Sequence, residues 1–393
     1  MASKASEMKA VSEVVARKLV GISSFDPAAP DALYTGNLGK VVSLLTLTEY
    51  YQDTAFANQA VEIINRVVAR VGTAHGLRFT TAMSNGLSGL GCVLLLLQRQ
   101  EYLDRDGNTT VLLDWLASNV YEKSKAEIER GDLDPMYSSM GGVFYLAKYA
   151  ALYPAGLRYI KELVELLATK IQENTHGRYI ANKRHQQAGD YFINTGLAHG
   201  VCGMLLILTS VCQTHRYHAV EDLMRLLLGF LNALYKPYEP TEENFLFPRS
   251  VSNKGVPLSQ ARKHNANIGW CTSDLSVAYS ILKAGNVLQN RDHLRFGNEV
   301  LTSFLNYNQS LLPIQEANFC HGYAGFSWLF KRCYDVTNRE ECQAVAQRWL
   351  GEAVRNGYPP GEDTLLNGNQ GVYNVILRSS GMLPQAWDEV FFL

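Results

Sequence analysis

A short turn that recurs seven times constrains the fold of this chain more than any other feature. Each copy carries a small residue, glycine or serine, at positions i and i+3 and is followed by a strongly apolar run. The seven copies span residues 36–39, 86–89, 138–141, 200–203, 273–276, 322–325 and 368–371. Their last residues lie 50, 52, 62, 73, 49 and 46 positions apart, a regularity typical of repeat architectures. We therefore predict one structural unit repeated seven times.

Each turn is expected to begin a helix. The runs that follow the turns are apolar nearly all round, as in helices buried on every side. Amphipathic stretches lie between them and predict an outer layer, at residues 57–71, 111–130, 157–173, 218–235, 293–306 and 340–354. Small residues let the inner backbones approach closely, and glycine also tolerates backbone angles that other residues resist. The sequence predicts an all-α fold, a closed double ring of seven inner and seven outer helices.

The repeat also bears on domain organisation. It runs from about residue 30 to about residue 380 without a Ser/Pro-rich linker or a charge block, so we expect one domain over residues 1–393. The largest interruption is residues 236–267, which are rich in Pro, Asn, Ser and basic residues. Loops of this length are commonly functional, and we expect this one to lie over one mouth of the ring.

Composition limits the classes of ligand and location. Hydrophobic residues make up 47% of the chain, the formal net charge is −1, and there is no basic stripe, so nucleic acid is not expected as a partner. The first residues lack the apolar core of a secretory signal, and no apolar run reaches the roughly 20 residues that a membrane helix needs. We therefore expect a cytoplasmic protein without a transmembrane segment.

Two segments in consecutive repeats point to a metal site. Trp270-Cys271 and Cys320-His321-Gly322 offer two thiolates and one imidazole to a single ion. Three ligands of these types suit Zn²⁺ and leave a fourth tetrahedral position open, as in a catalytic zinc site. Cys271, Cys320 and His321 are therefore the predicted zinc ligands.

The other five cysteines are expected to be buried thiols in a reducing compartment, because a lone cysteine usually packs as a small hydrophobe. They are Cys92, Cys202, Cys212, Cys333 and Cys342. Cys202 lies three residues after His199 on the same helical face, which leaves a place beside the site as its alternative.

Four segments in a fixed order resemble the lanthionine synthetase C-like cyclases. They are Gly-Leu-Ala-His-Gly at 196–200, Trp-Cys at 270–271, Phe-Cys-His-Gly-Tyr-Ala-Gly at 319–325 and Leu-Leu-Asn-Gly-Asn-Gln-Gly-Val at 365–372. The resemblance covers nearly the whole chain, because the repeat itself matches the α/α toroid of that family. It implies that the predicted double ring is this toroid.

The resemblance also implies an activity, the closure of thioether rings in a ribosomally made precursor peptide. In this family a cysteine thiol of the substrate adds to dehydroalanine or dehydrobutyrine, which a separate dehydratase has made from Ser or Thr. The implied partners are therefore a dehydrated precursor with its leader, a dehydratase and an exporter. A free thiol has a pKa of about 8.5 and attacks only as thiolate, which explains the use of zinc as activator.

By match to the family pattern, Cys271, Cys320 and His321 would be the metal ligands and His199 the acid/base group. An imidazole that titrates near neutrality suits that role. Asp134 stands near the family's acidic position, where it would orient His199 or hold a substrate amide. Asp132 is a close competitor for the same position.

This chain departs from the family pattern at two places. Four residues before Cys271 the family commonly has an Arg, whereas this chain has Asn267, so a cation that would steady the enolate oxygen is missing there. The candidates to replace it are Arg249, Arg262, Lys263 and His264. The turn after Cys271 carries Ser273 and Ser276 where the family has glycines, which indicates a divergent branch.

Two other functions remain open. A family member that adds glutathione or another small thiol to dehydroamino acids would share every zinc residue. A non-catalytic toroid that keeps zinc for stability and serves as a scaffold would not need His199. Zinc prenyltransferases use an acidic ligand, and toroidal glycosidases use two carboxylates, so neither explains the Cys-His pair as well.

Overall fold

A computed structural model describes residues 2–105, 107–184, 191–237, 245–257, 269–306, 314, 316–357, 362–380, 383 and 386–393. In this part of the chain, fourteen α-helices alternate between an inner and an outer layer. The inner helices are α2 (Asn37–Tyr51), α4 (Leu87–Arg99), α6 (Ser139–Leu152), α8 (Val201–Thr214), α10 (Asp274–Val287), α12 (Tyr323–Thr337) and α14 (Asn369–Ser380). The outer helices are α1 (Ala2–Ile22), α3 (Ala55–Arg70), α5 (Gly107–Arg130), α7 (Leu157–Ala168), α9 (His218–Leu234), α11 (Arg291–Asn306) and α13 (Glu340–Asn356).

The inner helices form a closed ring. Each packs against the next one in the chain, from α2 through to α14, and α14 packs against α2. Their side chains are buried nearly all round, whereas an outer helix such as α7 buries one stripe made of Ile160, Leu163, Val164 and Leu167. The predicted all-α double ring of seven inner and seven outer helices, an α/α toroid, is confirmed.

The outer layer differs from the prediction in two details. All six predicted outer stretches contain helices, but the seventh outer helix is the N-terminal α1, which packs against α14 and α2. The stretch 157–173 was predicted too long, because α7 ends at Ala168. The chain then forms a hairpin of β1 (Gln172–Asn174) and β2 (Gly177–Tyr179). A second antiparallel pair joins β3 (Phe192–Asn194) to β4 (Ser250–Ser252).

Space, and not backbone angle, selects the small residues of the turns. A Cβ atom would lie 1.8 Å from the Phe319 carbonyl oxygen if added at Gly325, and 2.0 Å from the Leu197 oxygen if added at Gly203. In both turns that oxygen belongs to the residue six positions earlier. The first glycine of a turn is the helix N-cap in extended backbone, with φ −159° at Gly36, so the tolerance of glycine for unusual backbone angles is not used there.

The turn before α10 carries serines in place of glycines, and their side chains cap the helix with hydrogen bonds. Ser273 is the N-cap, and its Oγ accepts from the N–H of Ser276 at 3.0 Å. The Ser276 hydroxyl in return accepts from the N–H of Ser273 at 3.0 Å. This reciprocal capping box satisfies two N–H groups that a helix start leaves without intrahelical partners. The serines therefore replace glycine here without loss of the helix start.

Backbone hydrogen bonds join the turns to one another. We call the residues two positions before the first small residue of each turn the rim: Tyr34, Ser84, Met136, Ala198, Cys271, Cys320 and Leu366. The rim bonds run, donor to acceptor, from Ser84 to Met136, Ala198 to Cys271, Cys271 to Cys320, Cys320 to Leu366 and Leu366 to Tyr34, at 3.0–3.1 Å. Leu33, beside Tyr34, donates to Ser84 at 2.7 Å. The rim therefore holds successive repeats at fixed positions.

The C-terminal segment, residues 386–393, fills the ring below the rim, and we call it the plug. Phe391 stacks on Phe319 with ring centroids 4.1 Å apart. The Phe391 carbonyl accepts from the indole N–H of Trp270 at 2.9 Å, and the Tyr34 hydroxyl donates to the carbonyl of Val390 at 2.6 Å. Since these partners come from three different repeats, the plug packs against several repeats at once.

The long loop of residues 236–267 is described in part, since residues 238–244 and 258–268 lie outside the described chain. Its described part includes β4 and is tied to α10, because the Asp274 carboxylate accepts the N–H groups of Leu246 and Phe247 at 3.0 and 3.2 Å. The location of this loop over a mouth of the ring, and the single domain over residues 1–393, stay predictions. No helix in the described part of the chain has the length and apolar character needed to cross a membrane.

Candidate active site

The three predicted metal ligands lie together at the rim. One donor atom each from Cys271, Cys320 and His321 falls within 4.8 Å of the other two. The rim bond from the Cys271 N–H to the Cys320 carbonyl, at 3.1 Å, brings the two turns side by side. Gly269 allows this approach, since a Cβ there would lie 2.3 Å from the His321 Cα. The fold therefore gathers residues 49 positions apart in the sequence.

The two thiols interact directly. A hydrogen bond from Cys320 lowers the pKa of Cys271, and the charge of His199 acts in the same direction against the effect of burial. The same hydrogen bond, together with burial, raises the pKa of Cys320. Cys271 is thus the more acidic of the two thiols at the rim.

Cys202, the cysteine with a place beside the site as its alternative, is fully buried, and burial raises its pKa to about 12.

His321 is held by two residues that lie a few positions before it in the chain. Its Nε2 lies 3.2 Å from a carboxylate oxygen of Glu316, and its backbone N–H donates to Asn318 Oδ1 at 2.9 Å. The same Nε2 lies 3.3 Å from Asn318 Nδ2. In the tautomer with the proton on Nε2 directed to Glu316, the lone pair of Nδ1 is available as a ligand. Sequence reasoning missed Glu316, although an acidic residue five positions before a candidate ligand was a usable signal.

His199 and Asp134 meet across the space between α6 and α8. His199 Nδ1 lies 3.0 Å from Asp134 Oδ2 and 3.3 Å from Oδ1. Oδ1 also accepts the N–H groups of Met136 and Tyr137 at 2.9 Å each, and Oδ2 accepts from Asn182 at 3.0 Å. The Asp134 side chain is only 4% exposed. These bonds hold the carboxylate in one orientation toward His199.

Asp132, the competitor of Asp134, has a different place. Its backbone carbonyl accepts the hydroxyls of Ser138 and Ser139 at 2.7 and 2.6 Å, at the start of α6. Of the two acidic residues, the structure brings Asp134 to His199.

The same position of the repeat, directly before the helix N-cap, supplies several side chains around the site. The residue directly before the helix N-cap is Tyr137, His199, Thr272 and His321 in four consecutive repeats. The ring of Tyr137 stacks on the imidazole of His199, with centroids 5.4 Å apart and planes at 12°. Sequence reasoning missed Tyr137, but an alignment of the seven turns on their N-caps would have placed it beside the two histidines.

Comparison with known proteins identifies the family. The model of the family described as lanthionine synthetase C-like protein matches residues 27–389. This chain belongs to the lanthionine synthetase C-like family. No curated protein matches its sequence.

This lanthionine synthetase C-like protein is also similar to solved structures. Nisin cyclase matches with a TM-score of 0.73 at 18% sequence identity, over 98% of this chain and 96% of that chain, which shows the same fold. D-mannose isomerase matches with a TM-score of 0.45 at 10% identity, over 95% of this chain and 97% of that chain. The second similarity is too weak to bear on function.

The family commonly has an Arg where this lanthionine synthetase C-like protein has Asn267, and one of the four candidate replacements for that Arg lies in the described part of the chain. Asn267 and three of its candidate replacements, Arg262, Lys263 and His264, lie outside the described residues. Arg249 is described and exposed, and its carbonyl accepts the N–H of Thr195 at 3.0 Å, four residues before His199. Its charge is a minor contribution to the lowered pKa of Cys271, after the hydrogen bond from Cys320. Arg249 is thus the described candidate with a link to the site.

Proposed function

We propose that this protein is a zinc-dependent peptide cyclase that forms lanthionine and methyllanthionine rings. It would add substrate cysteine thiolates to dehydroalanine or dehydrobutyrine in a lanthipeptide precursor. The observation that carries the proposal is one rim with two kinds of group, a Cys-Cys-His cluster within 4.8 Å and a His-Asp pair with Nδ1 and Oδ2 3.0 Å apart. Family membership supports the same reaction.

The donor set of Cys271, Cys320 and His321 fits zinc. Bond lengths of about 2.3 Å to sulfur and about 2.1 Å to nitrogen place neighbouring ligand atoms roughly 3.5–3.8 Å apart. The three donors, all within 4.8 Å of one another, are close enough to reach this geometry. Glu316 at Nε2 of His321 leaves Nδ1 as the available ligand, the usual carboxylate–histidine arrangement at zinc. Bound there with an open position, zinc would hold an incoming cysteine sulfur as a thiolate at neutral pH.

His199 would move the proton. Its Nδ1–H donates to Asp134, so Nε2 carries the lone pair that accepts the proton of the substrate thiol. The sulfur then forms a bond to the β-carbon of the dehydro residue, and the electron pair of the double bond moves into an enolate. His199 returns its proton to the α-carbon, which completes the thioether without any other reactant. A cation near the enolate oxygen would stabilise it, and Arg249 is our candidate among the described residues.

A peptide is the substrate class that the exposure of the site supports. His199 and His321 are 43% and 46% exposed, so a chain segment has access to both from the solvent side. The acceptor alkene requires a dehydratase that acts earlier on Ser or Thr. We propose that dehydratase, and an exporter acting afterwards, as partners. Addition of glutathione in place of ring closure is the competing outcome of the test below.

The test combines metal content with product analysis. Purified protein should contain about one zinc per chain by elemental mass spectrometry, and the Cys320→Ala variant should lose it while circular dichroism stays unchanged. Cys342→Ala, a buried cysteine on outer helix α13, is the matched control and should keep the metal. A synthetic peptide with one cysteine and one dehydroalanine should become cyclic at constant mass. A reagent that modifies free thiols should label the linear peptide and not the cyclic product, which distinguishes these two isomers.

Two results would overturn the proposal. Folded wild-type protein that stays metal-free after reconstitution with zinc would exclude the metal site. Zinc-loaded protein that adds glutathione to the dehydroalanine and leaves the peptide linear would make it a small-thiol transferase.

A further inference from the structure

Among the described residues, the hydrogen-bonding partner of the His199 side chain is Asp134, at one ring nitrogen. Asp134 bonds Nδ1 at 3.0 Å, and the imidazole is 43% exposed to solvent. One hydrogen bond leaves an aromatic ring free to swing about the bond axis, and proton transfer requires the other nitrogen at a fixed place. A second contact that fixes the ring plane is therefore needed.

Tyr137 makes that contact. Its ring lies nearly parallel to the imidazole, at 12°, with centroids 5.4 Å apart, in the range of favourable aromatic pairs. Tyr137 is 39% exposed, so this stack is a surface contact at the site and not part of the core. It fixes the plane of the ring, while Asp134 fixes which nitrogen carries the proton.

The backbone of Tyr137 is itself held on both sides. Its N–H donates to Asp134 Oδ1 at 2.9 Å, and its carbonyl accepts from the guanidinium of Arg184. The same guanidinium lies over the Tyr137 ring, with Cζ 5.6 Å from the centroid. Tyr137 is therefore positioned by a carboxylate at one end and a cation at the other.

Together with Asn182, these residues form a closed cycle of hydrogen bonds. Asn182 Nδ2 donates to Asp134 Oδ2 at 3.0 Å, and its Oδ1 accepts the N–H of Arg184 at 3.1 Å. In this cycle Asp134 is hydrogen-bonded to Tyr137, Tyr137 to Arg184, Arg184 to Asn182, and Asn182 to Asp134. The cycle joins the start of α6 to the segment after β2, which no repeat motif includes.

We propose that Tyr137 is a positioning residue for His199, and that Arg184 and Asn182 hold Tyr137 in place. This inference rests on the proposed function, since it assigns the proton transfer to His199. The phenol itself is not a proton carrier: burial, followed by the charges of Asp134 and Cys320, raises its pKa above the usual value, so it stays protonated at neutral pH. The aromatic ring is the part that acts, and phenylalanine should replace it.

The kinetic test uses three variants and the synthetic peptide with one cysteine and one dehydroalanine. Tyr137→Leu removes the stack and should lower kcat about 3- to 10-fold, with KM and zinc content unchanged. Tyr137→Phe keeps the ring and should restore kcat to within about twofold. Phe79→Leu removes another exposed aromatic pair, with Trp115, and should leave kcat unchanged.

A spectroscopic test does not depend on turnover. In zinc-loaded protein with ¹⁵N-labelled histidine, the His199 signal, assigned by its absence in His199→Gln, should show one tautomer with the proton on Nδ1. Tyr137→Leu should give mixed tautomers or exchange broadening and lose the ring-current shift, whereas Tyr137→Phe should match the wild type.

The outcomes separate the two proposals. A single Nδ1–H tautomer in Tyr137→Leu, or equal kcat losses in the Leu and Phe variants, would show that the stack does not position His199. Absence of thioether product from the wild type would refute the proposed function instead, and the tautomer measurement would still decide the role of Tyr137.

Discussion

Two seams of the same rim are built in different ways. Between α10 and α12 a backbone bond of 3.1 Å joins Cys271 to Cys320, so the two thiols are placed by the main chain. Between α6 and α8, within the described residues, the rim is linked through side chains, because Asp134 Oδ1 accepts the N–H of Met136 while Oδ2 lies 3.0 Å from His199 Nδ1.

The geometry of one seam depends on backbone groups, and that of the other depends on its side chains. The first seam, which we call the metal seam, should keep its geometry when its functional side chains are removed, since N–H and C=O groups remain. The second, the proton seam, should lose geometry and function together, because the side chains proposed to act also connect the repeats. Substitutions at the two seams should therefore differ in how they affect activity and stability.

The largest effect is expected at the metal seam with Cys271→Ala. Loss of a ligand should abolish zinc binding and lower cyclisation at least about 10³-fold, because a metal contributes several kcal/mol to charge stabilisation. Unfolding of the metal-free variant should match that of metal-free wild type, since the rim bond is a backbone bond. Elemental analysis and thermal unfolding of both metal-free proteins measure this. A large loss of stability would contradict the independence of this seam from its side chains.

A smaller loss of activity with a clear loss of stability is expected at the proton seam from Asp134→Asn. The amide accepts fewer of the hydrogen bonds that the carboxylate now receives, and an unmet buried group costs about 1–3 kcal/mol. Cyclisation should fall about 10- to 100-fold, because His199 loses its fixed tautomer while zinc remains bound. Denaturant titration and initial rates give both quantities. Unchanged stability would remove the contrast between the two seams.

A change in stability alone is expected from the glycine at the start of α8. Gly203→Ala places a Cβ 2.0 Å from the Leu197 carbonyl oxygen, and the resulting overpacking should cost about 1–3 kcal/mol of unfolding free energy. Gly229→Ala, in the exposed face of α9 with nothing within 4 Å of the new Cβ, should stabilise by about 0.5–1 kcal/mol. Equal effects of the two substitutions in denaturant titrations would disprove the close approach at the turn.

The last prediction concerns the pH dependence of stability and a third connection, between Asp274 and the backbone of residues 246 and 247. Burial raises the pKa of Asp274 from 3.8 to about 7. The folded protein then holds a proton that the unfolded chain releases above about pH 4, so the contribution of this group to stability falls as pH rises towards 7. Asp274→Asn should flatten the pH dependence of unfolding between these values. An identical profile in wild type and variant would show that Asp274 is already ionised in the fold.

The helical layers were predictable because their signals are local. Apolar runs after small-residue turns and amphipathic stretches between them reflect the burial of single helices, which the order of residues records directly. The N-terminal α1 was missed because no turn motif precedes it, and the hairpin after Ala168 was missed because its two short strands pair with each other at the surface. The close approach of backbones at the small residues was expected, as at Gly203, whereas the tolerance of glycine for unusual backbone angles is not used at Gly36.

The candidate site was predictable where family motifs mark it and not where side chains enter from elsewhere. Cys271, Cys320, His321, His199 and Asp134 lie at motif positions, and their roles as ligands and proton carriers stay predictions. Asn182 and Arg184 come from a segment outside the repeat, and Glu316 acts through His321. The local sequence of Asn182 and Arg184 records no such contact, whereas Glu316 stands five positions before the candidate ligand His321.

The sequence by itself determined the repeat, the alternation of inner and outer helices and the residue types available for metal and proton chemistry. It did so because periodicity and composition act over a few neighbouring residues. The tertiary structure alone decided how the rim closes, that the thiols meet through a backbone bond, and that Arg184 and Asn182 connect Tyr137 with Asp134. These are contacts between groups far apart in the chain, and their geometry depends on how all seven repeats pack together.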